Sequence, residues 1–378
     1  MNRISWDEKK WKEIGREAKA RWDQIPHPLD SLGAFETAVE RLCQIQGSPE
    51  PPDITRRASV VFAADHGVVA EGVTQTGQDV TRLVAEELAG GNGVLNRFAG
   101  VAGSDVYVVD VGMNCEAYPD RTLGTGRVTD RKIRRGTRDL ANEAAMTEEE
   151  CIRAVAEGIE VCGELADRGY RILTAGEMGI GNTTPTAVLA ASFLGMTAET
   201  VTGRGAGLDE EGFRRKVGAV NRALVRIRAE KRPPEEQTVE IEGIPVNARA
   251  LAVLSEGGGL ELAAMAGLYL GGMKYGLAVV IDGIISSVSA LAASRLCPES
   301  VHWMFASHAS SEPVALRIEE ELHLSPVIRA GMHQGEGTGA VMLLPLLDMA
   351  LAVYREMGSF ESFGIEAYRR MDGEEEET

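Results

Sequence analysis

Six short apolar runs, each closed by a glycine or a polar residue and followed by further chain long enough for a helix, constrain this chain more than any other feature. They are ASVVFAA (Ala58–Ala64), DVYVVDVG (Asp105–Gly112), YRILTAG (Tyr170–Gly176), LAVVID (Leu277–Asp282), VHWMFA (Val301–Ala306) and PVIRAGM (Pro326–Met332). Strands this apolar must be buried on both faces, which helices packed above and below a parallel sheet achieve. The pattern therefore predicts an α/β fold. Ahead of these runs, Trp11, Ile14, Ala18 and Trp22, then Leu32, Phe35, Ala38 and Leu42, carry helical spacing broken near Pro26 and Pro28, so two helices are expected there. Ala340–Met357 reads as an apolar C-terminal helix bent by Pro345, and Lys231–Asn247 as a polar surface loop. Glu374–Glu377 is a charge run with a solvating role.

Composition removes several functions. The 57 acidic residues against 39 basic ones give a net charge of −18, which repels a phosphate backbone, so no nucleic acid is expected as a partner. Uninterrupted apolar stretches fall short of the ~18 to 20 residues a bilayer requires. The N-terminus MNRISWDEKKWKE is too charged for a secretory signal. A soluble, cytoplasmic protein without membrane attachment is expected. Five cysteines without a CxxC pair or nearby histidines read as reduced thiols, not as a disulfide framework or zinc site. The 43 glycines, about 11% against a usual ~7%, cluster in short loops, as turns do where backbone approaches a ligand. That favours an enzyme.

Ligands of open parallel sheets bind beyond the carboxyl ends of the strands. The residues following the six runs are Asp65 with His66, Asp110, Glu177, Asp282, Ser307 with His308 and Ser310, and Glu336, so one sheet edge is lined with carboxylates and hydroxyls. In GEMGIGNTTPTAVLAAS (Gly176–Ser192) a glycine turn precedes Thr183, Thr184 and Pro185, a helix start with hydroxyl cap and proline at the first position. Its N–H groups can hold a phosphate, though an ordinary strand-to-helix turn accounts for it equally well. Neither GxGxxG nor a Walker A spacing is present. GRGAGLDEEGFRRK (Gly203–Lys216) supplies Lys216 and Arg204 as candidates to neutralise a phosphate, with Arg214 and Arg215 on a solvated face. GEGTGA (Gly335–Ala340) sets Glu336 between two glycines, where it is either a general base or a helix N-terminal acid. VVIDG (Val279–Gly283) offers one acid, Asp282, where a magnesium-held pyrophosphate sugar is usually served by two adjacent acids. His66 and His308 each lack a second ligand at helical or hairpin spacing, so no metal and no cofactor are expected.

Taken in order, these motifs resemble the nicotinate-nucleotide:dimethylbenzimidazole phosphoribosyltransferases of cobalamin lower-ligand synthesis. The resemblance runs through SLGAFETAVERL (Ser31–Leu42), AADHGVVAEGV (Ala63–Val73), VVDVGMN (Val108–Asn114), the Gly176 and Gly203 loops, GGLELAAMAG (Gly258–Gly267), VVIDG, SHASSEP and GEGTGA. It implies a Rossmann-like parallel sheet with helices on both faces, a small helical domain built from both chain ends, and a homodimer. The corresponding segments are 1–50 and 340–370 for the small domain, 55–339 for the catalytic domain and 371–378 for an acidic tail. It also implies transfer of phosphoribose from nicotinate mononucleotide to an aromatic base of benzimidazole type, with Glu336 as the catalytic base. Glu177, Gly179, Gly205, Lys216, Asp282 and Ser310 would hold the phosphoribose and nicotinate.

Departures from the family fall on the base side, whose pocket residues would be Thr76, Val84, Met178 and Gln334. Thr76 and Gly77 replace a common Ser-Pro pair, Val84 stands where a glutamine can occur, and His333-Gln334 replaces Arg-Leu. They predict that a purine or another polar base is accepted beside dimethylbenzimidazole. The competing functions are a non-catalytic nucleotide-binding relative, which intact Glu336 and Lys216 disfavour, and an NAD-dependent oxidoreductase, which the missing third glycine disfavours.

Overall fold

A computed structural model describes residues 7–370 apart from Ala206 and Pro313; the expected acidic tail at 371–378 lies outside the described residues. The described residues form eight strands: β1 (Arg57–Ala64), β2 (Ser104–Gly112), β3 (Val128–Asp130), β4 (Ile172–Met178), β5 (Thr238–Ile241), β6 (Ile244–Asn247), β7 (Ala278–Ile281) and β8 (Met304–Ala306). Six make one sheet in the order β3-β2-β1-β4-β7-β8, every pair parallel. Renumbered within the sheet this is 3-2-1-4-5-6, the doubly wound Rossmann order, whose strand order reverses between β1 and β4. β1, β4 and β7 are buried along their whole length, as their unbroken apolar runs require.

Three expectations are corrected. Pro326–Met332 is not a strand; its only ladder contact among the described residues is a parallel bridge from Ile328 to His308, because the run is too short of apolar residues to be covered on two faces. Lys231–Asn247 is not all loop: β5 and β6 pair antiparallel across Glu242-Gly243, both at positive φ, the backbone a two-residue hairpin turn needs. The helix Thr183–Leu194 has Asn182 at its cap position, without a side-chain cap hydrogen bond, so Pro185 stands third and not first. β3 was not anticipated, since three residues carry no readable periodicity.

The chain divides into two units, Thr55–Leu343 and the paired ends Met1–Ile54 with Leu344–Thr378. The division falls inside the helix Thr338–Glu356. In the end unit, helices Glu8–Trp22 and Ala34–Gln46 bury Ala18, Trp22, Leu42 and Cys43 with Leu347, Leu351 and Tyr354, and the Tyr354 hydroxyl donates to the Pro49 carbonyl at 2.7 Å. Helix Thr338–Glu356 is long and apolar enough to cross a bilayer, but more than half of it is buried, as in a core helix. All five cysteines are free thiols.

The core of the Thr55–Leu343 unit contains the helix Leu260–Tyr275, buried from Leu260 through Gly272. A helix apolar all round belongs inside a protein. Its single early charge, Glu261, must then find a partner within the fold.

Candidate functional site

The carboxyl ends of β1 and β4 meet at the point where the strand order reverses, and the carboxyl groups of Glu261 and Asp282 face that of Glu177 there. Glu177, next to last in β4, is buried; its carboxyl accepts from the Asn182 amide and from the backbone N–H of Glu336. Burial, with the carboxylates of Glu261 and Asp282 facing it, pushes Glu177 up to about 8.

Asp282, just past β7, has a different task. Its Oδ1 accepts the N–H groups of Gly339 at 2.8 Å and Ala340 at 3.0 Å, and its Oδ2 that of Gly337 at 3.1 Å. A helix begins with N–H groups that have no partner inside it, and Asp282 supplies acceptors for those of helix Thr338–Glu356 from another strand. The loop so held is sharply folded: Gly335, Glu336 and Gly337 all have positive φ, at 75°, 63° and 89°. Two of these suit glycine; Glu336 in the same region is strained. Its carboxyl is partly buried and raised above the usual carboxylate range, first by burial, against a hydrogen bond from Gln334. Glu336 is thus a carboxyl acceptor at the sheet edge, contacted by the Gln334 amide and with its backbone N–H locked to Glu177.

Lys216, on helix Glu210–Ala229, is almost fully buried and donates from Nζ to Thr183 Oγ1 at 2.8 Å and the Gly203 carbonyl at 2.9 Å. Burial pushes its ammonium down to about 8, opposed by the charge of Glu312. The ammonium joins the start of helix Thr183–Leu194 to the Gly203–Gly205 loop, and Gly205, at φ 55°, faces both Thr183 Oγ1 and Lys216 Nζ. An ammonium, a threonine hydroxyl and a glycine turn are thus brought together at one place. Arg204 does not share it: its guanidinium is spent on the Leu208 carbonyl at 3.0 Å and Glu210 at 2.6 Å. Ser310 is half-buried, its Oγ accepting the Glu312 N–H at 3.3 Å, in the loop that carries Glu312 toward Gly203.

Of the remaining strand-end residues, Asp110 is consumed by the Gly112 and Met113 N–H groups and by Lys132 at 2.7 Å. Asp65 accepts the Asn114 N–H at 2.7 Å. Both brace loops of the β1–β2 side. His308 lies at the end of β8, 3.2 Å from Ser307 Oγ and 3.9 Å from Asp282.

The base-side residues surround the same edge. Met178 is buried at the end of β4. Helix Asp79–Ala89, which carries half-buried Val84, docks beside it through Thr81, whose Oγ1 accepts the Ile180 N–H at 3.1 Å. Thr76 is exposed in the preceding loop, where its carbonyl accepts the Thr74 hydroxyl at 2.9 Å. Gln334 is also exposed, and its amide donates to Glu336 Oε1 at 3.3 Å. The amide thus has a partner within its own loop, the Glu336 carboxylate.

Sequence reading passed over Glu261 and Asn182. The signal for Glu261 was a lone acid in the apolar helix Leu260–Tyr275; none marked Asn182.

A family model described as a phosphoribosyltransferase matches residues 8–365. The chain is 41% identical over 353 residues to the nicotinate-nucleotide–dimethylbenzimidazole phosphoribosyltransferase of Thermus thermophilus, covering 93% of this chain and 98% of that protein. Its identity to the protein of the same name from Acetivibrio thermocellus is 36% over 363 residues, covering 95% and 96%. The crystal structure of CobT from Thermus thermophilus matches with a TM-score of 0.84 at 40% identity, over 94% of this chain and 99% of that one.

Proposed function

From its membership of the nicotinate-nucleotide–dimethylbenzimidazole phosphoribosyltransferase family, to which this chain belongs, we propose the reaction it performs. It transfers phosphoribose from nicotinate mononucleotide to a benzimidazole-type base, giving an α-riboside 5′-phosphate and nicotinate for the cobalamin lower ligand. The observation that carries this reading is the Glu336 loop, a single carboxylate held by Asp282 and Glu177 at the sheet edge.

The glycosidic nitrogen of nicotinate mononucleotide is a pyridinium. When the C1′–N bond breaks, its electron pair returns to the ring and nicotinate departs with a neutral nitrogen, so the leaving group needs no proton. The incoming base attacks C1′ from the opposite face through its unprotonated nitrogen, which converts β to α. The proton on its other ring nitrogen passes to Glu336, whose raised proton affinity suits an acceptor working near neutrality. Lys216 with the Thr183 and Gly203–Gly205 backbone suits the 5′-phosphate, a charge-assisted contact. Glu177, Gly179, Asp282 and Ser310 complete the nucleotide side of the site.

Base choice extends the proposal. With its amide N–H on Glu336, Gln334 keeps a carbonyl oxygen as acceptor for an exocyclic amino group, so adenine or another polar base is used beside dimethylbenzimidazole. The working form is a cytoplasmic homodimer without nucleic-acid or membrane partners; the family resemblance and the net charge of −18 support it. Incubation with nicotinate mononucleotide and a panel of bases, without added metal or NAD, should release nicotinate and form the α-riboside phosphate. No release with any base would refute the reaction.

A further inference from the structure

Behind the Glu177 turn lies a polar pair that the transfer chemistry does not use. His66, following β1, and Glu261, at the start of helix Leu260–Tyr275, are both fully buried, with His66 Nε2 2.7 Å from Glu261 Oε1. Their other polar atoms, His66 Nδ1 and Glu261 Oε2, have no hydrogen-bond partner. A polar group buried without a partner is costly, so this pair is not explained by stability alone.

The pair bears directly on the site. A Cβ at Gly179 would lie 3.1 Å from His66 Nε2 and 3.2 Å from Glu261 Oε1, and 2.6 Å from the Ala64 carbonyl, so the turn that follows Glu177 rests against the pair and only glycine permits that approach. A Cβ at Gly259 would lie 2.5 Å from His66 Cε1, so the pair is packed from the other side too.

We propose that the buried Glu261–His66 pair is a positioning element of the transfer site, setting whether the Glu177 carboxyl acts toward the substrate as a hydrogen-bond donor or as an acceptor. This rests on the reaction proposed above. The ionisable groups facing Glu177 are Glu261 from its helix and Asp282 from the end of β7, while Glu336 meets it through its backbone N–H; His66 lies behind Glu261. The two leading charged neighbours are carboxylates, and like charges disfavour a second ionisation in a buried site. Burial and these two neighbours push Glu177 up to about 8. Near neutrality it carries a proton: it accepts from Asn182 and the Glu336 N–H, and its O–H remains to donate. Two carboxyl groups at one edge then divide the work, Glu336 accepting a proton and Glu177 offering a hydrogen bond.

Infrared difference spectroscopy across pH tests this without requiring turnover, because a protonated carboxyl has a C=O stretch that a carboxylate lacks. The nucleotide-free parent should show such a band titrating near pH 8; Glu177→Gln should lack it. Glu261→Gln, which keeps shape but removes charge, should move its midpoint down by about one pH unit, a tenfold change in proton affinity. In turnover assays the same variant should lose the alkaline side of the kcat/KM profile at correspondingly lower pH. If Glu261→Gln does not fold, the double variant His66→Leu/Glu261→Leu, which removes both ends of the pair together, should move the band in the same sense. An unmoved band in the folded variant, or no Glu177 band in the parent, overturns the proposal. Failure of the parent to release nicotinate at any pH would instead refute the reaction and leave the infrared titration standing.

Discussion

Replacing Asp282 by asparagine tests whether this residue serves the substrate or the loop that presents Glu336. Its buried carboxylate accepts three N–H groups, those of Gly337, Gly339 and Ala340. An asparagine oriented with its oxygen at the Oδ1 position retains the two to Gly339 and Ala340 but turns an NH2 toward the Gly337 N–H. One hydrogen bond to a charged group, about 1.5 to 3 kcal/mol, is then lost, and a buried N–H is left facing a donor at a cost of about 1 to 3 kcal/mol. The lower ends of these ranges already amount to about 2.5 kcal/mol, which corresponds to roughly a hundredfold in rate if the productive loop is depopulated by that amount. Because these contacts help to hold the strained Glu336 loop, the loss should fall on kcat and on the unfolding midpoint together, with KM for nicotinate mononucleotide changed far less. Nicotinate release under saturating substrates, paired with urea unfolding, measures both. A variant with normal kcat and stability but raised KM would refute the loop-holding role and assign Asp282 to direct substrate contact.

Glu336→Gln should retain nucleotide affinity by calorimetry while turnover falls roughly 10²- to 10⁴-fold; near-normal turnover across pH would move the base to another residue. Lys216 is pushed down to about 8 by burial, so its positive charge is present below that pH and lost as pH rises through it. Affinity of the free enzyme for nicotinate mononucleotide should therefore fall above pH 8, and calorimetry on Lys216→Met should show weaker binding without that step. Competition between equal concentrations of adenine and dimethylbenzimidazole should yield both products with the parent and less of the adenine product with Gln334→Leu. Exclusive use of dimethylbenzimidazole by both would remove Gln334 from base selection. The same Gln334→Leu change removes a hydrogen bond to Glu336 Oε1, so the acid limb of its pH–rate profile should shift upward.

What could be read from the chain alone was what local sequence dictates. Apolar runs such as Ala58–Ala64 and Leu277–Asp282 announced buried parallel strands, since nothing else covers both faces of a strand. The Gly335-Glu336-Gly337 and Gly203–Gly205 loops announced themselves by their glycines, which positive φ at Gly335, Gly337 and Gly205 favours, and motifs kept in family order carried the reaction with them. Only the tertiary structure decided which groups those loops meet. His66 and Glu261 are 195 residues apart, and Asp282 is 55 to 58 residues from the N–H groups it accepts. Such pairings depend on which strands become neighbours, and here β4 sits between β1 and β7, a matter of the whole sheet that no window of sequence contains. The same holds for Gln334, whose polarity was plain in the sequence, whereas its partner, the Glu336 carboxylate, follows from a backbone turn that brings two side chains of one loop together.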